Sequence, residues 1–427
     1  MTTVLIIGYV WPEPRSSAAG TRMMQLIRLF LAQGWAVTFG SPAALGEHRE
    51  DLTALGVDEV VLELNSSRFD DFVQSLNPDI VVFDRFMMEE QFGWRVETYC
   101  PHAIRILDTE DLHSLRGARQ QWLQEVLRSG GTEMESPGDI QPLFERMAPQ
   151  DLTQREIAAI YRCDLTLMIS RFEIELLTQG FGVPAGLLQH CPFLLDVAAI
   201  EQERQSWLDF SERGHFISIG NFRHAPNWDA VLYLQQHIWP LIRRQLPQAQ
   251  LHIYGAYPPP KATALHNPKQ GFHVLGWADD AVAVMRQARV CLAPLRFGAG
   301  LKGKLIDAML CGTPSVTTPI GAEAMASQRQ WGGSIVSGPE AFAEAAVALY
   351  QDSDCWHEAQ SLGRAILAQD YDGAIHGDHL LGAIARLQNH LESLRRLNFT
   401  GAMLRHHQHK STQYMAKWIE AKNKLLG

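Results

Sequence analysis

Short, nearly continuous apolar runs alternate with stretches where apolar residues recur every three or four positions, and the alternation repeats along most of the chain. In the first half the runs Val4–Gly8, Ala36–Ser41, Val60–Leu64, Ile80–Asp84, Ala103–Asp108, Leu165–Ser170 and Leu187–His190 read as strands. Helical spacing falls between most of them, as at Gly20–Gln33, Asp70–Leu76 and Phe172–Gln179. Apolar runs without a polar face, separated by helices, predict a parallel sheet covered on both sides. The stretch Val197–Arg213, mostly polar from Glu201 onward, reads as a linker. Behind it the pattern restarts with strands His215–Gly220, Gln250–Gly255, Phe272–Leu275, Val290–Pro294, Ser315–Thr318 and Ser334–Val336. Helices Asn227–Gln245, Ala281–Gln287, Lys302–Cys311 and Pro339–Gln351 separate them. The expectation is α/β architecture: two doubly wound domains over 1–196 and 214–370, a linker over 197–213, and crossover helices with a tail over 371–427. Ligands of such sheets sit beyond the carboxyl ends of the strands. Ser129–Gln150 interrupts the order with Gly, Pro and acidic residues and reads as a disordered insertion or a lid.

Composition narrows the class. At 427 residues and 46% hydrophobic content, the chain can bury the cores of two or three domains. A formal net charge of −10 argues against a protein that coats nucleic acid. Residues 2–8 form an apolar run without a basic leader, which suits a first core strand better than a signal peptide. No apolar run approaches the roughly 18 residues of a membrane span. The six cysteines are scattered, with no C-x-x-C pair, and read as reduced thiols of a cytoplasmic protein. No histidine cluster outside the tail has ligand spacing, so no metal site is expected.

The richest chemistry lies in Ala293-Pro-Leu-Arg-Phe-Gly-Ala-Gly-Leu-Lys-Gly-Lys-Leu-Ile-Asp307, followed by Ala308-Met-Leu-Cys-Gly-Thr-Pro-Ser-Val-Thr-Thr318. It reads as strand, glycine loop, helix opening near Lys302, and strand. A helix N-terminus presents unpaired N–H groups and a positive dipole end, a seat for phosphate. Lys302 and Lys304 add cationic charge, and Asp307, one turn in, is placed to accept sugar hydroxyls. On the pattern alone, an ordinary βαβ unit with a Lys304–Asp307 surface pair is the competing interpretation.

These residues, with Ile219-Gly-Asn-Phe-Arg-His-Ala-Pro-Asn-Trp-Asp-Ala230, Leu251-His-Ile-Tyr-Gly255 and Val274-Leu-Gly-Trp277, resemble the retaining, family-four glycosyltransferases of the GT-B fold. The first domain carries a weaker match through Gly8-Tyr-Val-Trp-Pro-Glu-Pro-Arg-Ser-Ser-Ala-Ala-Gly20 and Gln33-Gly-Trp-Ala-Val37. The resemblance implies two Rossmann-like domains facing a cleft, with a nucleotide-sugar donor on the second and the acceptor on the first. It also implies retention of configuration and no metal or other cofactor, the nucleotide sugar serving as co-substrate. Asp307 matches the second acid of the family's E-x7-E motif, which holds the ribose; the first acid falls on Ala299 and is missing. By resemblance, backbone at Gly298, Ala299, Gly300 and Leu301 faces the sugar and diphosphate. Lys302 and Arg223 are the candidate cations for the leaving diphosphate, with Lys304 a rival to Lys302. Trp277 lies beside the base, Gly220 borders the donor, and Gly20 approaches the diphosphate from the other domain.

A second constellation, Arg105-Ile-Leu-Asp-Thr-Glu-Asp-Leu-His-Ser-Leu-Arg116, puts Asp108, Glu110, Asp111 and His113 just past a strand end. It resembles the family's histidine loop beneath the donor sugar, which implies that His113 meets a sugar hydroxyl and Asp111 orients or accepts a proton. A helix N-cap at Asp108 or Asp111, with His113 facing solvent, is the alternative. Trp11, Pro12 and Pro14 suggest a wall for sugar or acceptor, and Asp84, Arg85, Glu89 and Glu90 follow another strand end. From Arg395 onward, seven Lys and Arg residues face one acid, Glu420, with His406, His407 and His409 among them. That composition suits RNA, an anionic membrane surface or a partner groove. The amphipathic spacing instead predicts a closing helix docked on the first domain, burying Tyr414, Met415, Trp418 and Ile419.

The sequence reading is thus a sugar transferase acting from a nucleotide sugar on an acceptor that is a glycan, lipid, protein or RNA. Its rivals are a GT-B epimerase or phosphorylase, and a silent GT-B module that binds RNA or a protein through its tail. Base, sugar and oligomeric state are not legible.

Overall fold

The computed structural model describes residues 1–134, 136–327, 330–406 and 410–426. Thirteen strands form two all-parallel sheets, one near each predicted run. The first holds β1 (Thr3–Ile7), β2 (Ala36–Ser41), β3 (Asp58–Val61), β4 (Ile80–Asp84), β5 (Ile104–Asp108), β6 (Leu165–Met168) and β7 (Leu188–His190), in the order β3-β2-β1-β4-β5-β6-β7. The second holds β8 (Gly214–Ile219), β9 (Leu251–Tyr254), β10 (Phe272–Gly276), β11 (Ala288–Ala293), β12 (Ser315–Thr317) and β13 (Gly333–Ile335), in the order β10-β9-β8-β11-β12-β13. The run expected at Val60–Leu64 pairs two residues earlier, where Asp58 to Val61 align with Thr38 to Ser41.

The order reverses between β1 and β4 and between β8 and β11, opening a crevice at the carboxyl edge of each sheet. The loops leaving β1, β4, β8 and β11 therefore face the crevice, and with those leaving β5 and β10 they include the sequences singled out for chemistry. Helices close both faces. Val4 and Ile6 pack under Met24, Ile27 and Phe30 of helix Ala18–Ala32, and Leu5 and Ile7 meet the opposite layer.

Several connections differ from the expectation. Ser129–Gln150 is no disordered insertion among its described residues. It holds helix Ile140–Met147, whose Leu143 and Met147 are buried. Glu133 accepts from Tyr233 Oη (3.0 Å) and Gly338 N (2.8 Å), and Pro137 O accepts from Arg119, so the segment ties the two domains together. The stretch 197–213 is ordered through helix Val197–Glu203 and ends on the buried Arg213. The single helix expected at Asn227–Gln245 widens into a π-turn at Leu234–Ile238. Pro240 follows directly and has no N–H to return, so the ladder gains a residue there.

After helix Ser353–Asp370 the chain crosses back. Leu195 N donates to Tyr371 O and Gly373 N to Leu195 O, which places the two domain crossings side by side. Helix Gly373–Leu397 then buries Leu380, Ile384 and Leu387 in the first domain's core. Helix Lys410–Leu426 does dock on that domain, against helix Phe86–Tyr99, but through a different face than expected. Ala416 is buried and Glu420 accepts from Ser67, while Tyr414, Met415 and Trp418 turn outward. At 100° per residue, Ala416 and Glu420 share one stripe, and Tyr414 and Trp418 share the opposite one. His407 and His409 lie outside the described residues.

Candidate active site

Helix Gly303–Leu310 opens on Lys302, its N-cap, directly beyond β11 and the loop Pro294–Leu301. Lys302 is buried and donates from Nζ to Gly300 O at 2.6 Å. Burial lowers its pKa, and Glu323 pulls it back up. Lys304 points to the other side of the helix start and donates to Asn227 Oδ1 at 2.8 Å, next to Gly220 at the end of β8. Burial takes it down to about 8. Asp307, one turn into the helix, is exposed. Surrounding protein lifts its carboxyl to about 7, against the pull of Lys304, and water reaching the side chain moderates that rise.

Two adjoining hollows lead outward from Gly220. The smaller is lined by Ser16, Gly220, Asn221, Gly255, Trp277 and Ala281, all but Ser16 at the carboxyl edge of β8, β9 and β10. The larger, about 370 Å³, lies between Arg15, His48, Arg49 and Trp277. His48 stacks flat on Trp277 with centroids 3.9 Å apart, so the first domain covers the ring proposed to border the base. Arg223 is exposed; its guanidinium stacks 3.6 Å above the Tyr257 ring, and Tyr257 Oη donates to Glu13 across the cleft.

The first domain presses on the glycine loop from above. Gly300 has φ +60°, and an added Cβ would stand 2.8 Å from Asp111 Cβ, so only glycine fits. Ala299 is buried in the first domain's apolar cluster, which explains why no acid stands there: a carboxylate would be desolvated without a partner. Leu301 is buried with Ile169 and Phe193. Gly298 O accepts from Arg119, whose guanidinium also grips Glu323 in a two-pronged ion pair with nitrogen–oxygen distances of 2.6 and 2.9 Å. Gly20 is buried. Its N–H goes to Ser17 Oγ, and the Glu13 backbone covers the place of a Cβ, so its role is to let the loop fold onto the helix.

Asp111 and His113 stand where β5 ends, but neither acid there caps the helix. Leu112 is the N-cap of helix His113–Arg128, and Glu156 receives the N–H groups of His113 and Ser114, each at 2.8 Å. Asp108 is committed to Arg22. Asp111 hydrogen-bonds Arg116; burial would raise its pKa, yet Arg116, His113 and His224 together hold it at about 2. His113 Nε2 lies 3.6 Å from Asp111 Oδ1, too far for a hydrogen bond. Burial lowers His113 to about 4, so near neutral pH it is an uncharged imidazole and no ion pair with Asp111 exists. Glu89 and Glu90 are structural, paired with Arg162 and Arg155, whereas Asp84 and Arg85 stay beside the cleft around Tyr9. Trp11 is buried and braces the loop by donating to Ala43 O. Among the described residues, no cluster of three or more His, Cys, Asp or Glu side chains converges as metal ligands.

Sequence reading missed Glu173, Arg119, Arg116 and His48. Glu173 stands three residues after Ser170 at the end of β6, a spacing that reads as a local capping box. The fold sends its carboxylate elsewhere: Oε1 accepts from both Leu112 N (3.1 Å) and Gly300 N (2.8 Å), and Oε2 is buried without a partner. Burial, aided by Asp111, raises Glu173 to about 8. A raised folded-state pKa means its contribution is complete below 4.5 and is lost as pH rises through 8. Glu173→Gln, locked in the neutral form, should therefore be more stable than the parent at pH 8 to 9. Its melting temperature should fall less between pH 5 and 8, as scanning calorimetry across that range would reveal.

Residues 213–352 match the model for glycosyl transferases group 1. That stretch of the chain is thus a group 1 glycosyltransferase domain. No relative is found among curated proteins. Solved structures similar to this chain include HepE of Anabaena, in complex with UDP and glucose, at 14% identity and TM-score 0.60 over 90% of this chain and 100% of that one. Sucrose-phosphate synthase from Thermosynechococcus elongatus is 16% identical, with TM-score 0.64 over 91% and 99% of the two chains. TarM of S. aureus, in a complex that includes UDP, is 9% identical, with TM-score 0.64 over 90% and 99%. At such identities the likeness is one of fold, and the fold is GT-B. The chain thus has two Rossmann-like sheets about a cleft, with the group 1 glycosyltransferase domain in the second. No helix among the described residues is long and apolar enough to cross a membrane.

Proposed function

We propose that this glycosyltransferase moves a sugar from a uridine diphosphate donor to an acceptor, with retention at the anomeric carbon and with protein cations in place of a metal. The observation that carries this reading is the pair of lysines at one helix start. Lys302 turns to the glycine loop and Lys304 to the hollow between Gly220 and Trp277, so a diphosphate crossing the N-terminus meets both. Breaking the sugar–phosphate bond leaves negative charge on the diphosphate, which fixed cations and helix N–H groups stabilise as it develops. Asp307 would accept the ribose hydroxyls and Trp277 would border the base. Neutral His113 and anionic Asp111 would address the sugar from above, with Asp111 matched to positive charge at the anomeric carbon. Arg223, exposed on Tyr257, would swing in to the diphosphate. Uridine is preferred because similar folds were solved with UDP.

One observation favours a second reading, a silent GT-B module. Glu173 already occupies the Gly300 amide, and Asp111 packs against that glycine. The test is a panel of UDP-, GDP-, ADP-, CDP- and dTDP-sugars followed by thermal shift and slow donor hydrolysis, with Asp307→Ala and Lys302→Ala alongside. Selective stabilisation and hydrolysis with UDP-sugars, lost in both variants, is the expected result; proton NMR of the released sugar reads its anomeric configuration. A folded protein indifferent to every donor would favour the silent module.

A further inference from the structure

The last thirty residues present an apolar surface that the fold leaves uncovered. Tyr414 (67% exposed), Met415 (58%) and Trp418 (61%) lie on helix Lys410–Leu426, followed by Leu425 (87%). Leu397 (82%) and Phe399 (71%) are also exposed, where the preceding helices meet. At 100° per residue, Tyr414, Trp418 and Leu425 fall on one stripe directly opposite the buried Ala416. Lys417 falls on one flank of that stripe and Lys422 on the other, both exposed, with Lys422 Nζ 5.3 Å from the Trp418 ring centroid. Arg396 adds an exposed charge beside Leu397. An otherwise acidic chain thus places basic side chains around this exposed apolar strip.

We propose that this strip is a peripheral docking surface for an anionic lipid bilayer, with helix Lys410–Leu426 lying in the plane of the headgroups. An apolar centre of Trp, Tyr, Met and Leu between lysine flanks matches the two layers of a membrane interface. The helix is too short in apolar length to span, so it lies on the surface. A second copy of the chain fits less well, since a two-fold contact would bring Lys417 and Lys422 toward their own counterparts. RNA fits less well too, because Leu397, Met415 and Leu425 offer bases nothing to stack on.

Position gives the surface a purpose. Arg405 pairs with Glu97 and donates to Arg162 O, near the amino edge of the first sheet. Glu420 reaches Ser67, just past the carboxyl end of β3. The helix therefore climbs the acceptor-side domain and ends at the rim where the cleft opens, which would bring the cleft to a bilayer-anchored acceptor. The docking claim itself is independent of the donor assignment.

Co-sedimentation of the full chain with phosphatidylglycerol–phosphatidylcholine vesicles, against pure phosphatidylcholine vesicles, tests it. The expected result is binding to the anionic vesicles that weakens with salt and is at least about tenfold weaker in Tyr414→Ala/Trp418→Ala. Lys417→Gln and Lys422→Gln should each cost about fivefold. All four side chains face solvent, so circular dichroism and donor-induced thermal shift should match the parent. Three results would overturn the proposal: no sedimentation with either vesicle, equal sedimentation with both that ignores the substitutions, or vesicle indifference combined with a dimer or RNA complex that the same substitutions abolish.

Discussion

Lys304→Ala is expected to lower kcat/KM for donor by about 100- to 1000-fold, the usual loss when one charge-stabilising group is removed from a transition state. The ammonium sits at Gly220, where the diphosphate would pass, held by a single neutral acceptor, Asn227 Oδ1. Among the described residues no carboxylate lies within ion-pair distance of it, so it is free to turn to an anion. Burial has already brought it to about 8, so without donor it is charged below that pH and loses its proton above. Donor affinity should therefore decline as pH rises through 8, since a neutral amine offers the diphosphate no charge. Lys304→Arg, charged throughout, should keep part of the activity and lack that alkaline decline. Steady-state transfer or donor hydrolysis between pH 6 and 10 reads both effects. An unchanged kcat/KM in Lys304→Ala would assign the diphosphate to Lys302 alone.

Arg22→Met is expected to destabilise the first domain by about 3–5 kcal/mol, read by urea unfolding, because it strands a buried carboxylate. Arg22 and Asp108 are both fully buried and joined through two guanidinium nitrogens, and the same guanidinium bonds Cys191 O and Pro192 O beyond β7. Asp84 and Glu110 stand nearby, both raised chiefly by burial and further by Asp108, so Arg22 shares with Arg85 the task of making this acidic corner tolerable. The double variant Arg22→Met/Asp108→Leu should recover much of the loss, since a pair removed together leaves no orphan charge. Acidification should also recover part of it in Arg22→Met, because protonation discharges the stranded carboxyls. Were the loss no larger than that of a surface arginine, Asp108 would not need this partner.

The strand sequence of both domains was legible because parallel strands buried on both faces must be apolar throughout, and Val81-Val82-Phe83 or Cys291-Leu292-Ala293 admit no other reading. The loop proposed to hold the donor was legible for a related reason. Its glycines, lysines and Asp307 lie in one short stretch, Gly298 to Asp307, so their spacing in sequence largely sets their spacing in space. Pairing was not. Glu173 and Gly300, Arg119 and Glu323, and His48 and Trp277 lie more than a hundred residues apart, and nothing local distinguishes Glu173 from a capping residue.

By itself, then, the sequence determined two parallel α/β layers, the switch-point loops proposed to bear the chemistry, and a helix start suited to a diphosphate. Only the tertiary structure decided that Ala299 is walled in by the other domain, that Asp108 serves Arg22 rather than the site, and that the tail helix docks through Ala416 and turns its aromatics outward. The reason is common to all three. Periodicity says which positions share a face, but which face is covered depends on the shape and charge of whatever the rest of the chain brings against it.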